Sequence, residues 1–177
     1  MVNPRTKGSG YEVHVARRFS EWYFKESFKG VRADELPIRR TPLSGGWDKR
    51  LYSADLFCVG DPRGFPFAVE CKKDETFSWW AVFKKLETTP LYAWWKQATG
   101  EAEPLKQLPL LVFTVNFCPD MIAHYRGLNT PGPFMTFVDG TGATVNVQTL
   151  DGFFLANSPS RERFKIVREQ LYESKML

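Results

Sequence analysis

Cysteine and histidine are scarce in this 177-residue chain, which has three Cys and two His. Cys58, Cys71 and Cys118 are odd in number, far apart and form no Cys-x-x-Cys pair. That excludes a zinc site of that pattern and a disulfide framework, and it favours reduced thiols in a cytosolic compartment. His14 and His124 stand alone in the sequence, and neither reads as a ligand. No apolar run is long: the longest, LPLLVFTV, falls well short of the roughly 20 residues that span a bilayer. The opening MVNPRTKGSG has no apolar signal core. Repeats and low-complexity tracts are absent. So is a strong charge of one sign, with 24 Lys and Arg against 20 Asp and Glu, a net +4. This balance permits a polyanionic partner without demanding one. These absences point to a soluble cytoplasmic protein with no membrane partner, most simply a single domain over residues 1–177.

What the chain does have is an ordinary hydrophobic content of 43% and a large share of aromatics, 15%, with six Trp. Residues 1–7 read as a basic N-terminal arm. Ser9-Gly10-Tyr11-Glu12 has the Ser-x-x-Glu spacing of a capping box and predicts a helix that ends before Gly30, with Glu12, Ala16, Phe19 and Tyr23 on one stripe. Tyr11 could face solvent near the site, and nothing in the spacing singles it out. ELPIRRTPLSGGWDKRLYS predicts a short strand leading into a mobile Ser/Gly loop over residues 41–50. ADLFCVG and FPFAVECKK, joined by the turn Asp61-Pro62-Arg63-Gly64, predict a hairpin whose second strand ends on Glu70-Cys71-Lys72. Helices are expected over residues 79–86 and 91–102, broken at Thr88-Thr89-Pro90. LPLLVFTVN reads as a buried strand. FMTFVDGTG and ATVNVQTLDGFFLA read as later strands, and residues 160–174 as a closing helix. The order predicts an α/β fold with a central mixed sheet flanked by helices.

The chemistry gathers around FAVECKKDE. Strand alternation sets Phe67, Val69 and Cys71 on one face and Ala68, Glu70 and Lys72 on the other. In a hairpin Asp55 lies within cross-strand reach of Glu70. Two carboxylates held together repel, and a divalent cation removes that conflict. Hard oxygen donors on a rigid edge suit Mg²⁺, which keeps several waters. Lys72 would then hold a scissile phosphate or orient a water beside it. Glu12, an acid on an apolar stripe, needs a partner and could reach the cation directly or through water; its other reading is the acid of the capping box. A strand-end Glu-x-Lys by itself is more often a solvated ion pair, and only the convergence of these groups singles them out.

SADLFCVG together with FAVECKK resembles the core of the PD-(D/E)xK nucleases, the restriction-endonuclease-like fold, with Asp55 as the acid, Glu70-Cys71-Lys72 as the E-x-K and Ala54 where that family often has Pro. KGSGYEVHVARRF with PLSGGWDKRLYSADL is similar to archaeal-type and phage Holliday junction resolvases, through Lys7 and Gly8 before Glu12 and through Ser44-Gly45-Gly46. WWKQA resembles a Gln-bearing helix of the superfamily. The resemblance implies Mg²⁺, with Mn²⁺ as a substitute, held by Asp55, Glu70 and the Cys71 carbonyl with help from Glu12. It implies that Lys72 assists the attacking water, Gln97 is accessory, Lys96 contacts phosphate and Ser44 lies near the scissile phosphate. It further implies a homodimer acting on four-way junction DNA, in the cytoplasm of a host cell if the gene is a phage's.

Basic residues cluster in sequence around the same place. Arg5, Lys7, Arg39, Arg40, Lys49, Arg50, Lys73 and Lys96, with Ser44, Gly45 and Gly46, are the expected DNA contacts. In Trp79-Trp80 and Trp94-Trp95 one ring of each pair is expected in the core. The other could stack on unpaired bases or build a dimer interface, and the interface is the favoured role. Two rivals remain: a phage- or restriction-type nuclease acting on other duplex or branched DNA, and a DNA-binding module without catalysis.

Overall fold

The computed structural model describes residues 4–41, 54–61, 64–115 and 117–173, with side chains from Ser9 onward. Helix α1 (Pro4–Phe24) begins five residues ahead of the expected capping box. Proline is well suited to a first helical turn, where its missing N–H is no loss. Ser9 and Glu12 are therefore interior helical positions, and residues 4–7 of the expected basic arm are helical. Val15, Ala16 and Phe19 are buried on the inner stripe. Buried Ser20 ties the helix to the first strand: its hydroxyl donates to the Ala16 carbonyl at 2.9 Å and accepts the Ile38 N–H at 3.1 Å. The helix stops at Lys25, a non-glycine residue with φ of 57°.

Strand β1 (Ile38–Arg40) pairs antiparallel with β2 (Leu56–Cys58), Ile38 opposite Cys58. The expected hairpin of β2 with β3 (Phe67–Asp74) does not form as a ladder; β2 pairs with β1, and β3 belongs to the larger sheet. One backbone bond, from the Asp55 N–H to the Val69 carbonyl at 3.1 Å, joins the two pieces. Strand β3 also runs past Lys72 to Asp74, because its parallel partner β4 (Leu108–Val115) continues beside it, Asp74 opposite Val115. Between these parallel strands lie α2 (Trp79–Lys84), a 3₁₀ turn over Leu86–Thr88, and α3 (Pro90–Ala102), the crossover that parallel pairing requires.

Strand β5 (Met121–Tyr125) was not anticipated; all five of its residues are buried, but it lacks the β-branched alternation that marks strands in sequence. With β6 (Met135–Val138) and β7 (Thr144–Thr149) it completes a mixed five-stranded sheet of order β3-β4-β5-β7-β6. The expected strand over LDGFFLA is instead α4 (Leu150–Ala156). Thr149 caps it, its hydroxyl accepting the Gly152 N–H at 3.1 Å. Phe153 is buried while Leu155 is exposed. Helix α5 (Arg161–Glu173) closes the described chain. Among the described residues no helix is long and apolar enough to cross a membrane.

Both faces of the sheet are covered. Phe67, Val69 and Cys71 of β3 and Leu110 and Val112 of β4 pack with α1, α4 and α5 around Phe19, Phe153 and Phe164. Leu111 and Phe113 turn the other way, to Leu91, Trp95 and Ala98 of α3. A sheet buried on both sides reads in sequence as a continuous apolar run, which LPLLVFTV is.

His124 sits inside the first of these layers, fully buried against Phe153. Its Nδ1–H donates to the Tyr125 carbonyl at 2.8 Å, which leaves Nε2 to accept from Gln148 Nε2 at 2.9 Å. Burial holds the imidazole neutral and lowers its pKa from 6.5 to about 4. Because the folded value lies below the unfolded one, stability is complete above pH 6.5 and falls as the solution is acidified towards 4. The loss is about 3 kcal/mol. His124→Gln is expected to flatten that part of a stability–pH curve measured by urea melts. An unchanged slope between those limits would refute the assignment.

Candidate active site

Glu70 is the centre of the site. Alternation along β3 turns it from the α1 side to the α3 side, and there it is 2% exposed. Three groups meet it. Lys72 Nζ lies 2.5 Å from Oε1. Gln97 Nε2, from the facing side of α3, donates to the same oxygen at 2.7 Å. Glu101, one helical turn beyond Gln97, also reaches Glu70 and accepts from Gln97 at 3.0 Å. The second oxygen, Oε2, is buried with no hydrogen-bond donor among the described residues.

Asp55 precedes β2 and enters from the side. Its Oδ2 accepts the Cys71 N–H at 2.8 Å. Together with the Asp55 N–H bond to Val69, this clamps Asp55 alongside Glu70 without a regular hairpin. Cys71 itself is buried with its thiol in the opposite layer, as alternation requires, and burial raises the thiol pKa.

The electrostatics are those of crowded acids. Burial pushes the pKa of Glu70 well up, and the charge of Asp55 and the Glu101 carboxyl push it further; Lys72 works against them. Asp55 is also raised, first by burial, against the Cys71 N–H bond that favours its anion, and then by the charge of Glu12. For Lys72, burial is the largest influence and opposes the cation, but the bond to Glu70 and the charges of Glu70, Asp55 and Glu101 together outweigh it and the net shift is upward. The shifts of Glu70 and Lys72 pull one pair in opposite directions, towards a neutral acid and towards a held cation. The 2.5 Å contact holds the Lys72 cation, while the buried Oε2 without a donor disfavours the Glu70 anion, so both groups are pushed towards their protonated forms.

Glu70 and Glu101, two carboxyls in hydrogen-bond reach, must share a proton or be bridged by a cation. The buried, donorless Oε2 is what a cation would satisfy. The described residues present no ready cage of three or more His, Cys, Asp or Glu. Paired carboxylates of this kind fit Mg²⁺, which retains most of its waters, better than they fit Ca²⁺ or Zn²⁺.

Of the other residues expected here, Glu12 is close enough for its charge to act on Asp55, and its carboxylate is paired with Arg40 of β1. Arg39 donates to the Leu36 carbonyl at 2.6 Å. Lys73 and Lys96 are exposed and carry no acid partner among the described residues. The side chains of Arg5 and Lys7, and all of Ser44, Gly45, Gly46, Lys49 and Arg50, lie outside the described residues. Tyr11 is buried rather than turned to solvent, its hydroxyl donating to Asp120 Oδ1 at 3.2 Å; Asp120 also takes His14 at 2.8 Å. Glu101 was missed. The signal that could have found it is its spacing, four residues after Gln97 on one helix face.

With the geometry in place, comparison with known proteins adds a family. The family model described as "Phage putative PDDEXK endonuclease" matches residues 3–129, which include Glu12, Asp55, Glu70, Lys72, Gln97 and Glu101. The mixed sheet with flanking helices is the restriction-endonuclease-like arrangement of such nucleases. No curated protein and no solved structure matches the chain.

Proposed function

The chain belongs to this family of phage PDDEXK endonucleases, and we propose that within it the protein is a Mg²⁺-dependent, structure-selective endonuclease that resolves four-way DNA junctions as a homodimer. The observation that carries the catalytic half is Glu70: a buried carboxylate with one oxygen held by Lys72 and Gln97 and the other without a donor among the described residues. A DNA-binding module without catalysis would gain nothing from acids clustered where phosphate must approach. The junction half is supported by Lys7-Gly8 ahead of Glu12 and by Ser44-Gly45-Gly46 ahead of Asp55, the features that resemble resolvases.

Asp55, Glu70 and the Cys71 carbonyl would hold the ion, for which Mn²⁺ is an acceptable substitute. When bound, such a cation neutralises the acids and stabilises charge that develops on a phosphate. Lys72 orients the attacking water beside Glu70. Gln97 fixes the Glu70 carboxylate by its amide, and Glu101 supplies a further carboxylate at the same place. Glu12, already paired with Arg40, acts on the site at one remove, through water and through its charge on Asp55. Ser44 lies near the scissile phosphate, and Arg5, Lys7, Arg39, Lys49, Arg50, Lys73 and Lys96, with Gly45 and Gly46, follow the backbone of the DNA. A two-fold dimer matches the symmetry of a four-way junction and gives paired nicks. The setting is the cytoplasm of the host cell.

Labelled four-way junctions incubated with the protein in Mg²⁺ are expected to show paired symmetric nicks, abolished by EDTA. Equal cutting of linear duplex would move the substrate to that of a general phage nuclease. Tight binding with no cutting in Mg²⁺ or Mn²⁺ would leave only a binding module.

A further inference from the structure

The geometry points to α2 as a stacking platform for unpaired bases, set beside the cutting site, so that the preferred substrates carry single-stranded nucleotides next to the cut. This rests on the nuclease reading above and narrows its substrate.

Every residue of α2 except Val82 and Trp79 lies open to solvent. Trp80 is 69% exposed and Phe83 61%, and their spacing of three puts both rings on one helix face. That face has a fixed direction. Trp79 points the other way and packs on Phe77, Phe113 and Phe134, with ring centroids 5.0, 6.1 and 4.8 Å away. A short helix pinned by one Trp and displaying another has an exposed aromatic surface that its own fold does not use.

The helix that carries the platform is anchored on the side of α3 through Trp79 and Phe77. Phe77 stacks on Trp94, centroids 5.7 Å apart and planes 23° from parallel. Trp94 is one turn before Gln97, whose amide holds Glu70. Helix α2 also follows directly on the C-terminal end of β3, beyond Lys72, and the C-terminal ends of parallel strands are where open α/β sheets receive ligands.

Charge decides what occupies the surface. Lys84 and Lys85 follow Phe83, are exposed, and carry no acid partner among the described residues. Rings for bases interleaved with ammonium groups for phosphates are the two requirements of single-stranded nucleic acid. A duplex keeps its base faces stacked inward and has none to offer. A second copy of the chain is the competing occupant, and the oligomeric state of a variant that loses both rings distinguishes it.

The test measures binding of the full-length protein, in EDTA, to labelled oligothymidine and to a duplex of the same length. The double variant Trp80→Leu with Phe83→Leu, which stays apolar but cannot stack, is expected to lose about tenfold or more in affinity for the single strand and to lose its preference for it over duplex. Trp80→Phe is expected to stay within about threefold of the parent, because a ring is retained. Both sites are exposed, and an unchanged thermal melt certifies the fold. Parental affinity in the Leu variant overturns the proposal. So does a Trp80→Ser, Phe83→Ser variant that turns a dimer into a monomer while binding the single strand normally, which would make the face a protein interface. If the parent cuts DNA and the Leu variant binds as the parent does, only the platform fails. A parent that neither binds nor cuts DNA removes the nuclease reading as well.

Discussion

Glu70→Gln is expected to lose DNA cleavage by a factor of about a thousand or more, roughly 4 kcal/mol of transition-state stabilisation, and yet to melt at a higher temperature than the parent. The two effects have one cause. Glu70 is a carboxylate buried beside Asp55 and Glu101, where its ionised form is strained. The isosteric amide keeps the hydrogen-bonding shape and discards the charge that the reaction needs. The pH dependence has a definite sign. A carboxyl whose folded pKa is raised above its ordinary 4.5 loses stability as pH rises through that ordinary value. The advantage of the Gln variant is therefore small near pH 4 and grows towards neutrality, to about 1–2 kcal/mol, a few degrees in the melt. Mg²⁺ should raise the melting temperature of the parent and leave that of Glu70→Gln unmoved, since a cation bound only by the folded state stabilises it by mass action. Asp55→Asn should share the loss of cleavage. A Glu70→Gln protein that cuts at the parental rate, or that melts lower at neutral pH in EDTA, contradicts the assignment.

Lys72→Ala is expected to reduce cleavage by about a hundred- to a thousandfold while leaving junction binding in EDTA nearly intact. Its Nζ touches Glu70 Oε1 at 2.5 Å, in a pocket that also holds the Gln97 amide. Without that ammonium, Glu70 loses a close cation, so its pKa rises further and the fold weakens by about 1–3 kcal/mol. Lys72→Arg separates charge from geometry. A planar guanidinium fork cannot replace a point charge on a flexible stem in a slot shared with Gln97, so retained charge should not restore cutting. Single-turnover rates on a junction, beside binding titrations of the same proteins, give the comparison. Normal cutting by Lys72→Ala would show that Lys72 has no part in the reaction.

Much of this site was legible because it depends on short-range rules. The period of two along β3 sets Glu70 and Lys72 together and Cys71 away from them whether the strand stops at Lys72 or, as it does, at Asp74. Gln97 was reached by resemblance, and the fold brings its amide to Glu70. The failures share a cause too. Ser-x-x-Glu at Ser9 looked like a helix start because a local pattern cannot tell an N-terminus from the middle of a helix that begins at Pro4. LDGFFLA was taken for a strand because a short apolar run has no period, and the cap from Thr149 that decides for helix depends on where β7 ends. Glu101 and the inward turn of Tyr11 depend on contacts with residues distant in sequence.

By itself the sequence determined which residues could carry the chemistry: two acids, an E-x-K lysine and a helical glutamine, with their faces set by backbone periodicity. It also determined the α/β class, because alternating apolar runs and helical stripes are properties of neighbouring residues. The tertiary structure decided how those groups meet. Asp55 reaches Glu70 through one backbone bond and the Cys71 N–H rather than through a hairpin, since β2 pairs with β1 and β3 with β4. It decided that Glu70 is buried rather than set on an open edge, because α3 closes over β3 and brings Gln97 and Glu101 with it. And it decided which tryptophans are core and which are surface, sinking Trp95 and leaving Trp80 in solvent. Burial is the reason for all three: desolvation and the approach of remote charges arise only when distant segments pack together.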